Sequence, residues 1–238
     1  MCDVLHITHK KMSKDILLEI GVEEIPAGYQ PTVNGQLSTV AETNMRFARL
    51  EYKNINVWAT LRRLILYVED VEEQQKATET EIYGPTEKVA FLDGKPTIAA
   101  IGFAKKHNFD VSTLKVKDGK VCVVKTEPSS KTEDVLPETL VKIISSLTFP
   151  KTMVWESSCF RFVRPIRWLL ALYGEKVVKF QIADVKSSNC TSIRYCKKLR
   201  ITEPKKFADV LRNEGVVVKQ ADRMDALKKT VEAAIKNT

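Results

Sequence analysis

Short runs with two-residue alternation, most of them closed by turn chemistry, are interleaved along this chain with stretches of helical period. That order limits the fold more than any single motif does. Residues 16–25, ILLEIGVEEI, form an apolar run with carboxylates that stops at Pro26-Ala27-Gly28, as a buried strand entering a turn would. Residues 54–71 are strand-like, with Ile55, Val57, Leu64, Leu66 and Val68 alternating with polar neighbours. Asp93-Gly94 and Asp118-Gly119 suit type I′ hairpins, and Gly174-Glu175 suits a II′ turn between strands over 168–173 and 177–182. Between these, Leu37, Val40, Ala41, Met45 and Leu50 recur at helical spacing, as do Leu136, Leu140, Ile143, Ile144 and Leu147, with Pro137 expected in that helix's first turn. Thr97 is placed to cap a helix over 98–107. Thr202 is placed to cap one carrying Phe207, Val210 and Leu211, which Gly215 ends. Met224, Leu227, Val231, Ala234 and Ile235 mark one face of a last helix whose stripe has no later partner, so the domain is expected to continue past Thr238. Because the order is not a strict βαβ repeat, the expectation is an α+β fold of mixed hairpins and helices. It divides into a loose leader over 1–14, a lobe over 15–128 and a second lobe over 129–238, with the boundary in the EPSSK stretch.

Composition excludes several classes. With 238 residues, 44% hydrophobic and 29% charged, the chain can bury a core, and nothing in it reads as disordered. No apolar run approaches the ~20 residues that span a bilayer, and residues 1–15 lack the apolar core of a secretory signal, so a cytosolic location is expected without a membrane. The five cysteines, Cys2, Cys122, Cys159, Cys190 and Cys196, have no zinc-type spacing and are read as reduced thiols. His6 and His9 in the leader could ligate a metal only if that stretch were ordered, and Met12 is an alternative start. The net charge of +8 is concentrated at one end: residues 186–238 hold 13 Lys and Arg against 6 Asp and Glu, while 1–185 hold 25 against 24. Such clustering suits a polyanion partner, although lysines on two exposed helices would give the same count.

No stretch matches a phosphate-binding loop, a dinucleotide glycine fingerprint or a zinc-hydrolase signature. A histidine-based triad would have to use His107, at the end of a lysine-rich helix. Glu19, Glu23 and Glu24 are the best carboxylate cluster. They could serve acid–base work or hold Mg²⁺, but pairing with Arg62, Arg63 or a lysine is the simpler reading. Residues 159–173, CFRFVRPIRWLLALY, say most: Arg161, Arg164 and Arg167 recur every three residues among Phe160, Phe162 and Trp168. Guanidinium groups fit phosphate through two parallel hydrogen bonds, and the aromatics could stack on exposed bases. The structural alternative has the aromatics in the core and the arginines paired with local acids such as Glu156. Arg62-Arg63 and Lys105-Lys106 repeat the basic signal.

Several phrases then line up in order. DILLEIGVEEIPA at 15–27 resembles the opening of the glycine–tRNA ligase β subunit, usually L-L-x-E-I-G-x-E-E-[IL]-P. TLRRL at 60–64 resembles its T-P-R-R-L, with Leu61 in place of proline. Gly84-Pro85 and GKPTIAAIGFA at 94–104 are similar to its G-P and G-x-P-T-x-A-A-x-G-F-A. FPKTMVW at 149–155 and RFVRPIRW at 161–168 resemble its F-P-K-x-M-x-W and R-F-V-R-P-I-x-W. The resemblance covers 15 to about 185 and weakens after Thr191, where 191–195 lack the family's Gly-His.

The resemblance implies a tRNA-handling subunit that assembles with a separate α subunit into an α2β2 enzyme. In that enzyme α activates glycine with ATP and Mg, and β recognises the glycine tRNA. It accounts for the missing ATP motif, and it implies no cofactor and no catalytic residue in this chain. Arg62, Arg63, Arg161, Arg164 and Arg167 become candidates for tRNA contact. The family's later HD-like and anticodon-binding regions have no counterpart here, which implies an N-terminal fragment without activity by itself. The alternatives are a shortened stand-alone RNA-binding module and an inactive structural remnant.

Overall fold

The computed structural model describes residues 13–92, 95–193 and 197–236. His6, His9, Met12, Cys2, Cys196, the Asp93-Gly94 turn and part of the 191–195 stretch lie outside the described residues. The elements form an α+β set, as expected.

Strand β1 (Ser13–Val22) is the spine of the larger sheet. It is buried from Ile16 to Val22 because β3 (Arg63–Glu72) and β9 (Ile166–Tyr173) pair antiparallel on its two sides while both faces are covered. Ile16, Leu18, Ile20 and Val22 pack on one face with two helices, α1 (Gln30–Phe47) and α4 (Thr132–Ser145). Leu17 faces the other way, with Ile65, Leu170, Leu172 and residues of α5 (Phe207–Asn213). A strand covered on both faces has no solvated side, which is why its sequence reads as a run instead of an alternation. The sheet is completed by β2 (Asn54–Thr60), β10 (Lys176–Val177), β11 (Gln181–Ile182) and β12 (Val185–Ser188), in the order β11-β12-β9-β1-β3-β2 with β10 beside β9. β12 runs parallel to β9, and the next hairpin, β13 (Cys190–Ile193) with β14 (Lys197–Arg200), lies over the face that carries Leu17. The last helix, α6 (Gln220–Lys236), is tied at its start by Arg223, which donates to the carbonyls of Val217, Val218 and Ala59. Its Met224, Leu227, Val231 and Ile235 are exposed.

Residues Lys76–Ser129 form a separate unit. In it a three-stranded sheet of β4 (Thr78–Thr86), β8 (Lys120–Glu127) and β7 (Lys115–Lys117) carries α2 (Glu87–Ala90) and α3 (Ile98–Lys106). The short β5 (Phe91–Leu92) and β6 (Lys95–Pro96) pair between the helices. The core of this unit is small: Ala90, Ala100 and Val121, with Phe91, Phe103 and Leu114 against them.

The division into lobes over 15–128 and 129–238 is therefore corrected. One junction falls in the anticipated stretch, at Ser129, but the other is at Gln75, because β1 pairs with β3 and with the distant β9 and so closes one unit across the inserted one. The leader boundary moves too, since Ser13 and Lys14 pair with Glu72 and Val71. The strand-like stretch 54–71 is a hairpin. Its Leu61-Arg62 turn carries no glycine or asparagine, and Thr60 pairs directly with Arg63. Pro137 sits in the second turn of α4, because the helix begins five residues earlier, where the Thr132 hydroxyl donates to the Glu72 carbonyl. Thr97 stands at the start of α3, but its hydroxyl donates to the Val89 carbonyl and caps nothing. Glu203, not Thr202, precedes the 3-10 turn over Pro204–Lys206 that leads into α5. The turn chemistry fares better: Asp118 and Gly119 have φ of 52° and 71°, and Gly174 and Gly215 have φ of 58° and 77°.

Candidate functional site

Three of the five candidate arginines converge. The β2–β3 turn delivers Arg62 and Arg63, and the start of β9 delivers Arg167, to the wall of one open cavity of about 960 Å³. Lys186 of β12 and Lys198 of β14 complete a cationic lining, in which Asp184 is the one carboxylate among the described residues. Arg161 and Arg164 do not join them. Arg161 is exposed ahead of β9, and Arg164 is folded back, donating to the carbonyls of Glu24 and Val163. Their three-residue spacing meant a common face only in a helix, whereas this segment is a loop entering a strand.

Beneath the cavity lies a buried polar network built by strand register. Gly21 is opposite Arg63 on one side and Trp168 on the other, so the three residues form one row across β3, β1 and β9. A Cβ at Gly21 would fall 1.9 to 2.4 Å from three atoms of the Trp168 indole, so the ring lies directly on the glycine backbone. The Arg63 guanidinium is 5.3 Å from the centroid of the same ring. Its Nε donates to Glu19 Oε1 at 2.9 Å, and its Nη2 donates to the Ser192 carbonyl. The Thr191 hydroxyl donates to the same Glu19 oxygen at 2.9 Å. Glu19 is fully buried, and burial pushes its carboxyl above the usual carboxylate range against the opposing pull of Arg63, Thr191 and the Trp168 indole. Glu19 Oε2 and Trp168 Nε1 are both buried and have no partner of ordinary hydrogen-bond geometry.

The arginines thus differ in kind. Arg63 is 7% exposed and held by a carboxylate, a carbonyl and a ring, whereas Arg167 is exposed and reaches Glu23 only at 3.9 Å. Arg62 is half-buried, and its Nε has no hydrogen-bond partner. Glu19 takes the pairing role expected of the carboxylate cluster, while Glu23 and Glu24 are exposed beyond the end of β1. Lys186, Lys198, Thr191 and Ser192 escaped sequence reasoning. They lie more than 120 residues from Arg63; the two lysines fall in the basic stretch over 186–238, but nothing local ties any of the four to Arg63. Among the described residues no group of three or more His, Cys, Asp or Glu is placed to hold a metal, and no helix is long and apolar enough to cross a membrane.

The aromatics near the candidate arginines are packed inward. Phe162 is fully buried, edge-on to Phe149 at 4.9 Å and stacked on Phe160 at 6.0 Å, which in turn meets Trp155 at 6.1 Å.

Comparison with known proteins bears on the whole chain. The model of the family described as glycyl-tRNA synthetase beta subunit matches residues 16–238. The glycine–tRNA ligase beta subunit of Syntrophomonas wolfei is 39% identical over 220 residues, covering 89% of this chain and 32% of that protein. That of Halothermothrix orenii is 36% identical over 224 residues, covering 92% of this chain and 33% of the relative. That of Syntrophus aciditrophicus is 40% identical over 181 residues, covering 74% and 26%. The chain spans about a third of the length of the first two relatives.

Proposed function

The chain belongs to the glycyl-tRNA synthetase beta subunit family, and from that premise we propose that it serves as the N-terminal part of a two-subunit glycine–tRNA ligase. On this reading a separate α subunit binds ATP, Mg and glycine and carries the chemistry in an α2β2 assembly in the cytoplasm. This part contributes to tRNA recognition and assembly without a catalytic residue of its own. The observation that supports RNA contact is the cationic cavity, where Arg62, Arg167, Lys186 and Lys198 gather from four separate stretches of chain around one opening. Converging side chains of one sign raise the local concentration of a polyanion. Phosphate oxygens suit both the guanidinium and the ammonium groups there.

The test is binding of this chain to glycine tRNA over a salt series, with and without the α subunit. The expected result is an affinity that falls steeply as salt rises, because phosphate contacts release counterions, and that strengthens when α is present. Salt-sensitive binding indifferent to α would instead identify a stand-alone RNA-binding module. No binding under either condition would remove the RNA role.

A further inference from the structure

Among the described residues the cavity offers cations and a single aromatic, the half-buried Trp168, and this imbalance bears on what part of an RNA it can hold. Recognition of single-stranded bases relies on side-chain rings with an open face, on which each stacked base contributes ~1–3 kcal/mol. The rings nearest the candidate arginines are all engaged. Phe162 is buried, Phe160 lies between Phe162 and Trp155, and the Trp168 indole is laid on Gly21 beside Arg63. The half-buried pair Trp58 and Tyr67 lines a separate groove of about 320 Å³. Base-edge reading also requires fixed donors and acceptors. Here Arg63, the most rigidly held donor, already gives Nε to Glu19 and Nη2 to Ser192. The cations left to meet a ligand are the side chains of Arg62, Arg167, Lys186 and Lys198, on a lining that also holds Asp184, Ser188 and Ser192. Of these, Arg167, Lys186 and Lys198 are exposed, and long exposed cations suit phosphate oxygens, contacts that position a nucleic acid without carrying sequence information.

We infer that this cavity grips the sugar–phosphate backbone of RNA and leaves the bases unread, so that it adds affinity and orientation but no preference for one tRNA over another. The inference rests on the RNA-binding reading above and narrows it. Arg63, Glu19, Trp168 and Thr191 are then positioning residues, which hold the β2–β3 turn and so set where Arg62 stands.

The experiment measures affinity of this chain for glycine tRNA and for a non-glycine tRNA between 50 and 200 mM salt. It compares the parent with Arg167→Ala, Lys186→Ala and Lys198→Ala, all at exposed positions. Four phosphate contacts give a slope of log affinity against log salt of about −2.8 to −3.6, and each substitution should flatten it by about 0.7–0.9. The expected signature is that each variant weakens both RNAs by the same factor. A variant that weakens glycine tRNA alone would show that the cavity reads bases, and overturns the inference. Salt-sensitive binding with slopes unchanged in all three variants overturns it as well, and leaves RNA binding to another surface. Absence of salt-sensitive binding in the parent overturns the RNA-binding reading itself, and this inference with it.

Discussion

Replacing Arg63 by Met tests whether the buried network is organised as described. The Arg63 and Glu19 side chains are 8% and 0% exposed, and their contact is a single 2.9 Å bond, so removing the cation strands a buried carboxylate. Breaking a buried pair from one side costs about 3–5 kcal/mol. Part of that loss is the Ser192 carbonyl, which loses its guanidinium donor, at about 1 kcal/mol. The rest depends on pH in a defined direction. Burial already raises the Glu19 pKa above its ordinary value, so its contribution to stability is full below the unfolded-state pKa and is lost as pH rises through the folded one. Without Arg63 the folded pKa rises further. The gap between parent and variant should therefore be widest at pH 7 and narrow toward pH 5, by up to about 1.4 kcal/mol per pH unit.

The assay is urea unfolding followed by tryptophan fluorescence at both pH values. All three tryptophans, Trp58, Trp155 and Trp168, lie in the unit that contains the network, so the signal reports that unit. The double variant Glu19→Gln, Arg63→Met removes the stranded charge and should recover much of the loss at pH 7. An equal loss at pH 5 and pH 7 together with no recovery in the double variant would refute the reasoning, since the cost would then not be that of a buried charge.

Other outcomes follow from packing and titration. Gly21→Ala must displace the Trp168 ring, and should cost about 1–3 kcal/mol in the same urea assay with a changed emission spectrum; unchanged stability and emission would contradict the contact. Tyr173 is buried, its hydroxyl lies 3.1 Å from the Val71 carbonyl and 3.2 Å from that of Glu72, and burial together with the Glu73 charge pushes it up to about 12. Stability should fall as pH climbs from 10 to 12, because the unfolded phenol ionises first. Tyr173→Phe should flatten part of that fall in alkaline unfolding curves and cost about 1 kcal/mol at pH 8. Tyr67, raised by burial and by its bond to Asp15, supplies a further share that Tyr173→Phe leaves in place. Leu140→Ala, in the core side of α4, should cost about 2–5 kcal/mol, whereas Leu227→Ala, exposed on α6, should change stability by less than about 0.5 kcal/mol.

Turn and helix-stripe chemistry was legible in the sequence because its cause is local, although the local cap signals at Thr97 and Thr202 misled. Asp118-Gly119 and Gly174 announce hairpins because positive φ is a property of one or two residues, and the stripe Leu136, Leu140, Ile143 and Ile144 announces a helix because its period is internal. The Leu61-Arg62 turn was missed for the converse reason. It has no residue that demands a turn, and the pairing of β2 with β3 imposes it. The ordered phrases from residue 15 to about 185 carried the family, since identity and spacing survive in sequence without reference to contacts. That Glu19 would pair with a neighbouring basic residue was also readable as one alternative.

Tertiary structure decided which arginines belong together and what each can do. Five looked alike in sequence, yet register across three strands locks Arg63 between Glu19, Ser192 and Trp168, while Arg62 and Arg167 remain on the cavity wall with Lys186 and Lys198. It also decided that the chain closes on itself, with β1 joining β3 to β9 and leaving residues 76–129 as an insertion. Strand partners are chosen by burial on both faces of β1, an interaction between segments some 150 residues apart. Periodicity and turn chemistry, which act over a few residues, carry no record of it.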